Sequence, residues 1–439
     1  MSRILLVILD GLADRPWPQL DCATPLEAAA TPNLDALASA GLTGLMHPLG
    51  RGKAPGSELA HWVLFGYPAE DFPGRGLFEA RGEGLDVADD DVVFRFLLSA
   101  VQPMPDGTMR VVERRPRLPE DGARDLAETV AHFEHSGVSF EAVYTSVGQG
   151  ILYARPAPGE LSPEVTDGDP FDDARLVPRV RPLADAREPK RAARLAGAVD
   201  AYMRWAHANL RAAPGNIESE LGGAPPTNFL LLKWAGKRRA VQPFERLTGL
   251  RGATVSWGFL YRGLAAELGL DHLGERYLED PADDLAKRLR TAAGLLRDGY
   301  GFVHVHTKAP DVAGHTKNPA HKRDVIAKLD EALGLLREHD FLPDDTLVCV
   351  TGDHGTPSGT ALIHSGDPVP LLLFGEGAYA DRVSAFGERA CVDGGLGQFE
   401  GRDLMPMMLD RVGLTRYLGG RLTPEATLAW PREWEPFRL

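Results

Sequence analysis

Short apolar runs that end in a polar residue or a glycine recur near the start of the chain and again in its last third. They predict buried strands at residues 4–9, 302–306, 346–351 and 369–374. Apolar positions at helical spacing predict helices at residues 31–41, 283–296 and 322–338. Strands that alternate with helices of this length are typical of an α/β fold with a mostly parallel sheet.

The middle of the chain has a different pattern. From about residue 68 to 247 it is rich in Pro, Gly and Arg, with shorter strand patterns at residues 92–101 and 143–154. A Pro- and Asp-rich segment at residues 156–189 is expected to be loop. The change of pattern predicts two domains: residues 1–68 plus 248–439 form the α/β domain, and residues 69–247 form a smaller inserted α+β domain.

Composition narrows the class of protein. The 439 residues are 44% hydrophobic and 25% charged, which is typical of a globular chain. The net charge of −14 disfavours nucleic acid as a partner, and no apolar run is long enough to span a membrane. The cysteines are Cys22, Cys349 and Cys391, and thiols so far apart are typical of a reducing compartment. We therefore expect a cytoplasmic protein.

Acidic and imidazole side chains follow three of the predicted strands, at the point where each strand ends. They are Asp10, Asp311, His315, Asp353 and His354, and the loop before the fourth strand adds His364 and Asp367. Sites in open α/β sheets form outside the carboxyl ends of the strands, so these groups are expected at one edge. Taken singly, each could be a helix cap or a turn residue. Taken together, they predict a site for Zn, Mn or Fe, which accept carboxylate and imidazole ligands.

Ser57 lies in a loop that leads into an apolar helix, and two interpretations of it remain open. It could be a helix N-cap, whose loss costs about 0.5–2 kcal/mol. It could instead be a nucleophile at a helix N-terminus, where backbone amides stabilise a phosphate. A metal ion that contacts the hydroxyl would activate it.

These segments resemble the archaeal-type, cofactor-independent phosphoglycerate mutases of the alkaline phosphatase superfamily. The matching segments are residues 8–16, 24–29, 31–35, 56–61, 65–67, 74–76, 308–315, 351–354, 364–370 and 403–406. The resemblance implies an alkaline-phosphatase-like, mostly parallel sheet sandwiched by helices, with an inserted cap domain. It also implies two divalent metal ions, with Mn²⁺ expected and Zn²⁺ or Mg²⁺ as alternatives.

The resemblance assigns roles to individual residues. One implied metal site consists of Asp10, Ser57, Asp353 and His354, and the other consists of Asp311, His315 and His364. Ser57 would become phosphorylated. The implied acid/base is Glu113, and Arg262 takes the position of the family's active-site Lys. Arg95, Arg114 and Arg115 would hold the anionic groups of the substrate.

The substrate-binding positions depart from the family pattern. Gly150 stands where the family has an Arg. Residues 217–220, which are Ile, Glu, Ser and Glu, stand where the family has basic residues after the Asn at position 216. Three hypotheses follow: a phosphoglycerate mutase that interconverts 3-phosphoglycerate and 2-phosphoglycerate, a diverged phosphotransferase or phosphatase for another small phosphate ester, and a metal-binding protein without turnover. The presence of Ser57 beside a full set of metal ligands argues against the third hypothesis, a metal-binding protein without turnover. The expected partner is a small phosphorylated metabolite, with no nucleic acid or membrane; a homo-oligomer is compatible with the sequence.

Overall fold

The computed structural model describes residues 3–157, 159–214, 216, 225–274, 276–415 and 434–439. The chain forms two compact units, one made of Met1–Phe72 with Val241–Leu439 and one made of Pro73–Ala240. The sequence prediction placed this division after residues 68 and 247.

The described residues form fourteen strands and twelve α-helices. The strands are β1 (Arg3–Leu9), β2 (Leu42–His47), β3 (Val92–Pro103), β4 (Met109–Glu113), β5 (His132–His135), β6 (Val138–Ser146), β7 (Gln149–Pro156), β8 (Phe229–Lys237), β9 (Gly252–Ser256), β10 (Asp271–Gly274), β11 (Phe302–Thr307), β12 (Thr346–Thr351), β13 (Val369–Gly375) and β14 (Gly397–Glu400). The helices are α1 (Pro25–Ala28), α2 (Pro32–Ser39), α3 (Ser57–Leu64), α4 (Arg75–Gly82), α5 (Glu120–Glu128), α6 (Pro189–Ala212), α7 (Phe244–Thr248), α8 (Phe259–Leu268), α9 (Pro281–Arg297), α10 (Ala309–His315), α11 (Pro319–Leu333) and α12 (Leu404–Arg411).

The first unit is built on an eight-stranded sheet in the order β10-β9-β11-β1-β12-β13-β2-β14. Every strand runs in the same direction except β13, which is antiparallel to both of its neighbours. The central strands β11, β1 and β12 are buried along their whole length apart from Arg3, which explains the continuous apolar sequences of β1 and β12. In β11 the buried His304 and His306 alternate with apolar residues. Their carboxyl ends meet at one edge of the sheet.

Helices cover both faces of this sheet. On one face, Leu5, Val7 and Leu9 of β1 pack into a cluster with apolar residues of α2, α9 and α11. On the other face, the Phe302 ring of β11 lies 4.7 Å from the Phe244 ring of α7 and 5.8 Å from the Phe65 ring that follows α3. The side chains along each strand thus alternate between two helical layers.

The second unit is built on an antiparallel sheet in the order β4-β3-β7-β6-β5, with β8 also paired to β3. Helices α5 and α6 pack on one face, and α4 packs on the other through Leu77 and Ala80. This is an α+β arrangement, because the helices are not crossovers between parallel strands.

The predicted strands of the first unit and its three predicted helices are present with small shifts at their ends. The helix predicted at 322–338 stops at Leu333 and continues as a 3₁₀ turn over Gly334–Arg337. The single strand pattern at residues 143–154 was wrong, because β6 and β7 form a hairpin there. Val147 and Gly148 make its turn, both with positive φ. None of the described helices is long and apolar enough to cross a membrane.

Candidate functional site

The parallel pairing of β1 with β12 brings together one group of acidic and imidazole side chains. Asp10 follows β1, and Asp353 and His354 follow β12. The His354 Nε2 atom lies 3.3 Å from Asp10 Oδ1 and 3.5 Å from Asp353 Oδ2, and all three side chains are completely buried. Their ligand atoms lie within 4.8 Å of one another, which is close enough to share one metal ion.

A second group of the same kind forms after β11. Asp311 and His315 lie one turn apart in α10, with His315 Nε2 3.2 Å from Asp311 Oδ1. His364 Nε2 lies 3.6 Å from the same oxygen. The other ring nitrogen of His364, Nδ1, donates to the Pro55 carbonyl oxygen at 2.7 Å, which fixes the ring with Nε2 directed at Asp311.

Ser57 is the first residue of α3, and its hydroxyl lies beside the first group. Its Oγ atom is 3.1 Å from His354 Nε2 and 3.4 Å from Asp10 Oδ2. The His354 ring also stacks on the His364 ring of the second group, with centroids 3.6 Å apart. The helix N-cap is Gly56, and no side chain caps this helix, so the interpretation of Ser57 as a capping serine was wrong.

A lysine that the sequence argument did not single out lies between the two groups. Lys308 Nζ is 3.2 Å from Asp10 Oδ2 and 3.0 Å from Asp311 Oδ2. Burial raises the pKa of Asp10, but Lys308 and the His306 hydrogen bond outweigh this and hold that pKa below its usual range. Burial also raises the pKa of Asp311, and hydrogen bonds from the ligand-group histidines more than reverse the shift.

The first group contains carboxylate oxygens that suit a cation. Asp10 Oδ1 and Asp353 Oδ2 are buried and have no hydrogen-bond partner among the described residues. Burial and the neighbouring Asp10 charge raise the pKa of Asp353 well above its usual range. Two adjacent buried carboxylates are costly without a counter-ion, and a divalent cation removes that cost. The residues present therefore fit a metal ion.

Two further residues support these groups and were missed by the sequence argument. Thr356 Oγ1 donates to Asp311 Oδ1 at 2.7 Å and lies 3.2 Å from His354 Nδ1, so it joins both groups. His61 lies one helical turn after Ser57, and its Nδ1 donates to the Ser57 carbonyl oxygen at 2.7 Å. Its position within the matched segment 56–61 was the available signal, whereas Thr356 had none beyond its closeness to Asp353 in sequence.

Four of the five predicted substrate-binding and acid/base residues lie in the second unit. Arg95 is buried and donates to Glu83 at 2.9 Å, and Arg114 donates to Asp169 at 2.7 Å. Glu113 ends β4 and is half-buried, and the exposed Arg115 follows Arg114. Arg262, the fifth, lies exposed on α8 of the first unit.

The second unit also contains a buried cation that was not predicted. Lys233 of β8 is 2% exposed, with Nζ 3.4 Å from Asp169 Oδ2 and 4.0 Å from the centre of the Trp234 ring. Burial and the nearby Arg114 guanidinium lower the pKa of Lys233 to about 8. Among the described residues, the Asn216 side chain bonds backbone groups of Leu210 and Thr227, and residues 217–220 lie outside the described part of the chain.

Comparison with known proteins gives the family. The chain matches the metalloenzyme superfamily over residues 2–411. It is 38% identical to the 2,3-bisphosphoglycerate-independent phosphoglycerate mutase of Methanopyrus kandleri over 412 residues, which are 93% of this chain and 96% of the relative. It is 34% identical to the 2,3-bisphosphoglycerate-independent phosphoglycerate mutase 2 of Methanocaldococcus jannaschii, again over 93% of this chain and 92% of the relative.

The solved structure of the cofactor-independent phosphoglycerate mutase of Thermoplasma acidophilum has a TM-score of 0.64 and 30% identity to this chain. The match covers 94% of this chain and all of that one. It confirms the predicted alkaline-phosphatase-like α/β fold class with a mostly parallel sheet. The chain therefore belongs to the metal-dependent, 2,3-bisphosphoglycerate-independent phosphoglycerate mutase family.

Proposed function

We propose that this protein interconverts 3-phosphoglycerate and 2-phosphoglycerate, and that Ser57 carries the phosphoryl group in between. The observation that supports this best is the position of the Ser57 hydroxyl. It lies at the start of α3 and 3.1 Å from His354, whose ring stacks on His364 of the second ligand group. A helix N-terminus stabilises a phosphate with its free amides and dipole, so a phosphoserine suits this position.

The two ligand groups would hold two divalent ions, which we propose to be Mn²⁺. One ion would be held by Asp10, Ser57, Asp353 and His354, and the other by Asp311, His315 and His364. When bound, such ions neutralise phosphoryl charge and lower the pKa of a nearby hydroxyl. Oxygen and imidazole ligands without any thiolate are compatible with Mn²⁺.

The residues of the chain would then carry out transfer in two halves. The Ser57 hydroxyl loses its proton as Oγ forms a bond to phosphorus and the bond from phosphorus to the glycerate oxygen breaks, and that glycerate oxygen takes up a proton. Glycerate reorients, and its other hydroxyl loses a proton and attacks the phosphoserine, which breaks the bond to Oγ and lets Ser57 take up a proton again. The Lys308 ammonium, which lies between Asp10 and Asp311, would offset the charge of the phosphoryl oxygens.

Glycerate must stay bound while it reorients, so its carboxylate needs fixed cations. We assign this role to the arginines that the family resemblance implies, Arg95, Arg114, Arg115 and Arg262, and add the buried Lys233. Arg114 and Lys233 share Asp169, which keeps both side chains in place. Glu113 adjoins Arg114 in sequence and would exchange protons with the glycerate hydroxyls.

A coupled assay tests this function. The Mn²⁺-loaded protein, without added 2,3-bisphosphoglycerate, is expected to convert 3-phosphoglycerate to 2-phosphoglycerate, which enolase then converts to an absorbing product. Mass spectrometry after brief exposure to substrate should locate a phosphate on Ser57. A panel of other phosphate esters serves as the comparison. Release of inorganic phosphate from another ester, without any mutase activity, would show that the protein is a phosphatase instead.

A further inference from the structure

A buried tyrosine contacts the first ligand group from a separate element. Tyr261 lies in α8, which follows β9, and its side chain is 4% exposed. Its hydroxyl donates a hydrogen bond to Asp10 Oδ2 at 3.1 Å. No motif of the sequence pointed to this residue, and the proposed phosphoryl transfer does not use it.

The packing around the Tyr261 ring fixes the hydroxyl in place. The ring lies 4.0 Å from the His306 ring and 5.1 Å from the His61 ring, measured between centroids. Both histidines are completely buried, so the ring has no room to turn away. A buried hydroxyl needs a hydrogen-bond partner, and the Asp10 carboxylate supplies it.

The donors to Asp10 are distributed unequally between its two oxygens. Oδ2 accepts from Tyr261, from His306 Nε2 at 2.9 Å and from Lys308 Nζ at 3.2 Å. The Ser57 hydroxyl lies further away from the same oxygen, at 3.4 Å. Oδ1 has no hydrogen-bond partner among the described residues, and it lies 3.3 Å from His354 Nε2. The donors thus determine which oxygen faces the ligand group.

We propose that Tyr261 is a positioning residue for the first metal site, whose hydroxyl holds Asp10 so that Oδ1 points toward His354 and Asp353. The proposal rests on the assignment of Asp10 as a metal ligand. A phenol suits the task because it is a neutral donor, which fixes the carboxylate without cancelling the charge that attracts a cation. Lys308, in contrast, brings a positive charge to the same oxygen.

The test is Tyr261→Phe, which removes one oxygen and keeps the ring that packs against the histidines. Calorimetric titration of the metal-free protein with Mn²⁺ should show one ion bound about 10–100-fold more weakly, as for other residues that orient a ligand. Binding of the ion at Asp311, His315 and His364 should be unchanged. The matched control is Tyr277→Phe, because the buried Tyr277 hydroxyl has no hydrogen-bond partner among the described residues. It should leave both dissociation constants unchanged.

The variant Asp10→Asn tests the assignment of Asp10 as a metal ligand separately from the role of Tyr261. If Asp10→Asn leaves the binding of both ions intact, the assignment of Asp10 as a ligand is wrong. If Asp10→Asn weakens one ion while Tyr261→Phe binds both as the wild type does, only the role of Tyr261 is refuted. A purely structural role would appear as a lower melting temperature of metal-free Tyr261→Phe with unchanged Mn²⁺ affinity, and it would also refute the proposal.

Discussion

Replacing Ser57 with Ala separates catalysis from stability. The change removes the Oγ atom that lies 3.1 Å from His354 Nε2. It leaves the cap of α3 intact, because the N-cap is Gly56 and no side chain caps the helix. The expected cost in unfolding free energy is therefore that of one hydrogen bond, about 0.5–1.5 kcal/mol.

The effect on turnover should be far larger. Ser57 is the proposed nucleophile, and removal of a nucleophile that acts with its neighbours as a unit lowers kcat by at least about 10⁴-fold. Asp10, Asp353 and His354 remain, so the first metal ion should bind more weakly but not be lost. The coupled mutase assay measures turnover, and urea unfolding of the same preparations measures stability.

Ser358→Ala is the matched control for this change. Ser358 is completely buried, and its hydroxyl has no hydrogen-bond partner among the described residues. The variant should keep near-normal turnover. If Ser57→Ala also turned over normally, the nucleophile assignment would fall, and the phosphoryl group would have to pass to water instead.

Three other changes have expected outcomes. The KM for phosphoglycerate should rise above pH 8, because the Lys233 ammonium loses its proton as pH passes its pKa of about 8. Lys233→Arg should abolish that rise; identical profiles of KM against pH for the variant and the wild type would contradict this. Lys322→Met should lower the unfolding free energy in urea by about 3–5 kcal/mol, since it leaves the buried Asp14 carboxylate without its cation; a loss under about 1 kcal/mol would contradict this. Removal of metal by a chelator should abolish activity. Free Mn²⁺ at 100 times its Kd should then raise the free energy of unfolding by about 2.7 kcal/mol per site; an unchanged melting temperature on Mn²⁺ addition would argue against both sites.

The sheet of the first unit could be predicted where buried strands have strongly apolar sequences, but not at β2 and β9, which are buried along their whole length yet contain Gly and Thr. Strands β1 and β12 have continuous apolar sequences because helices cover them above and below, and β11 differs in that His304 and His306 interrupt its apolar residues. An acidic residue follows the end of each strand, at Asp10, Asp311 and Asp353, so the strand ends and the ligand groups were found together. The short strands β10 and β14 are partly exposed and carry no such run, so they left no clear signal.

The residues that orient the ligands could not be found in the same way. Tyr261 and Thr356 act through partners far away in sequence, Asp10 and Asp311 respectively. Neither residue lies in a sequence motif or at a spacing from a ligand that would mark it as part of the site. Their roles follow only from the tertiary packing that brings α8 and the loop after β12 to the strand ends.

The proposed substrate-binding cations show that a position-by-position match to the family is a weak guide to where the positive charges lie. A side chain at Gly150 would clash with the Val143 carbonyl oxygen and the Phe96 ring, so β7 has no room for the Arg of the family. Phe96 of β3 pairs with Gly150 on one side and with Leu232 of β8 on the other. Lys233 follows Leu232 on β8, so its side chain points to the opposite face of the sheet from the matched position Gly150. Lys233 instead pairs with Arg95 across β3 and β8, and we propose that these two cations bind the carboxylate together. Because a lysine can lose its proton and an arginine cannot, the alkaline rise in KM would distinguish this arrangement from one that uses arginine alone.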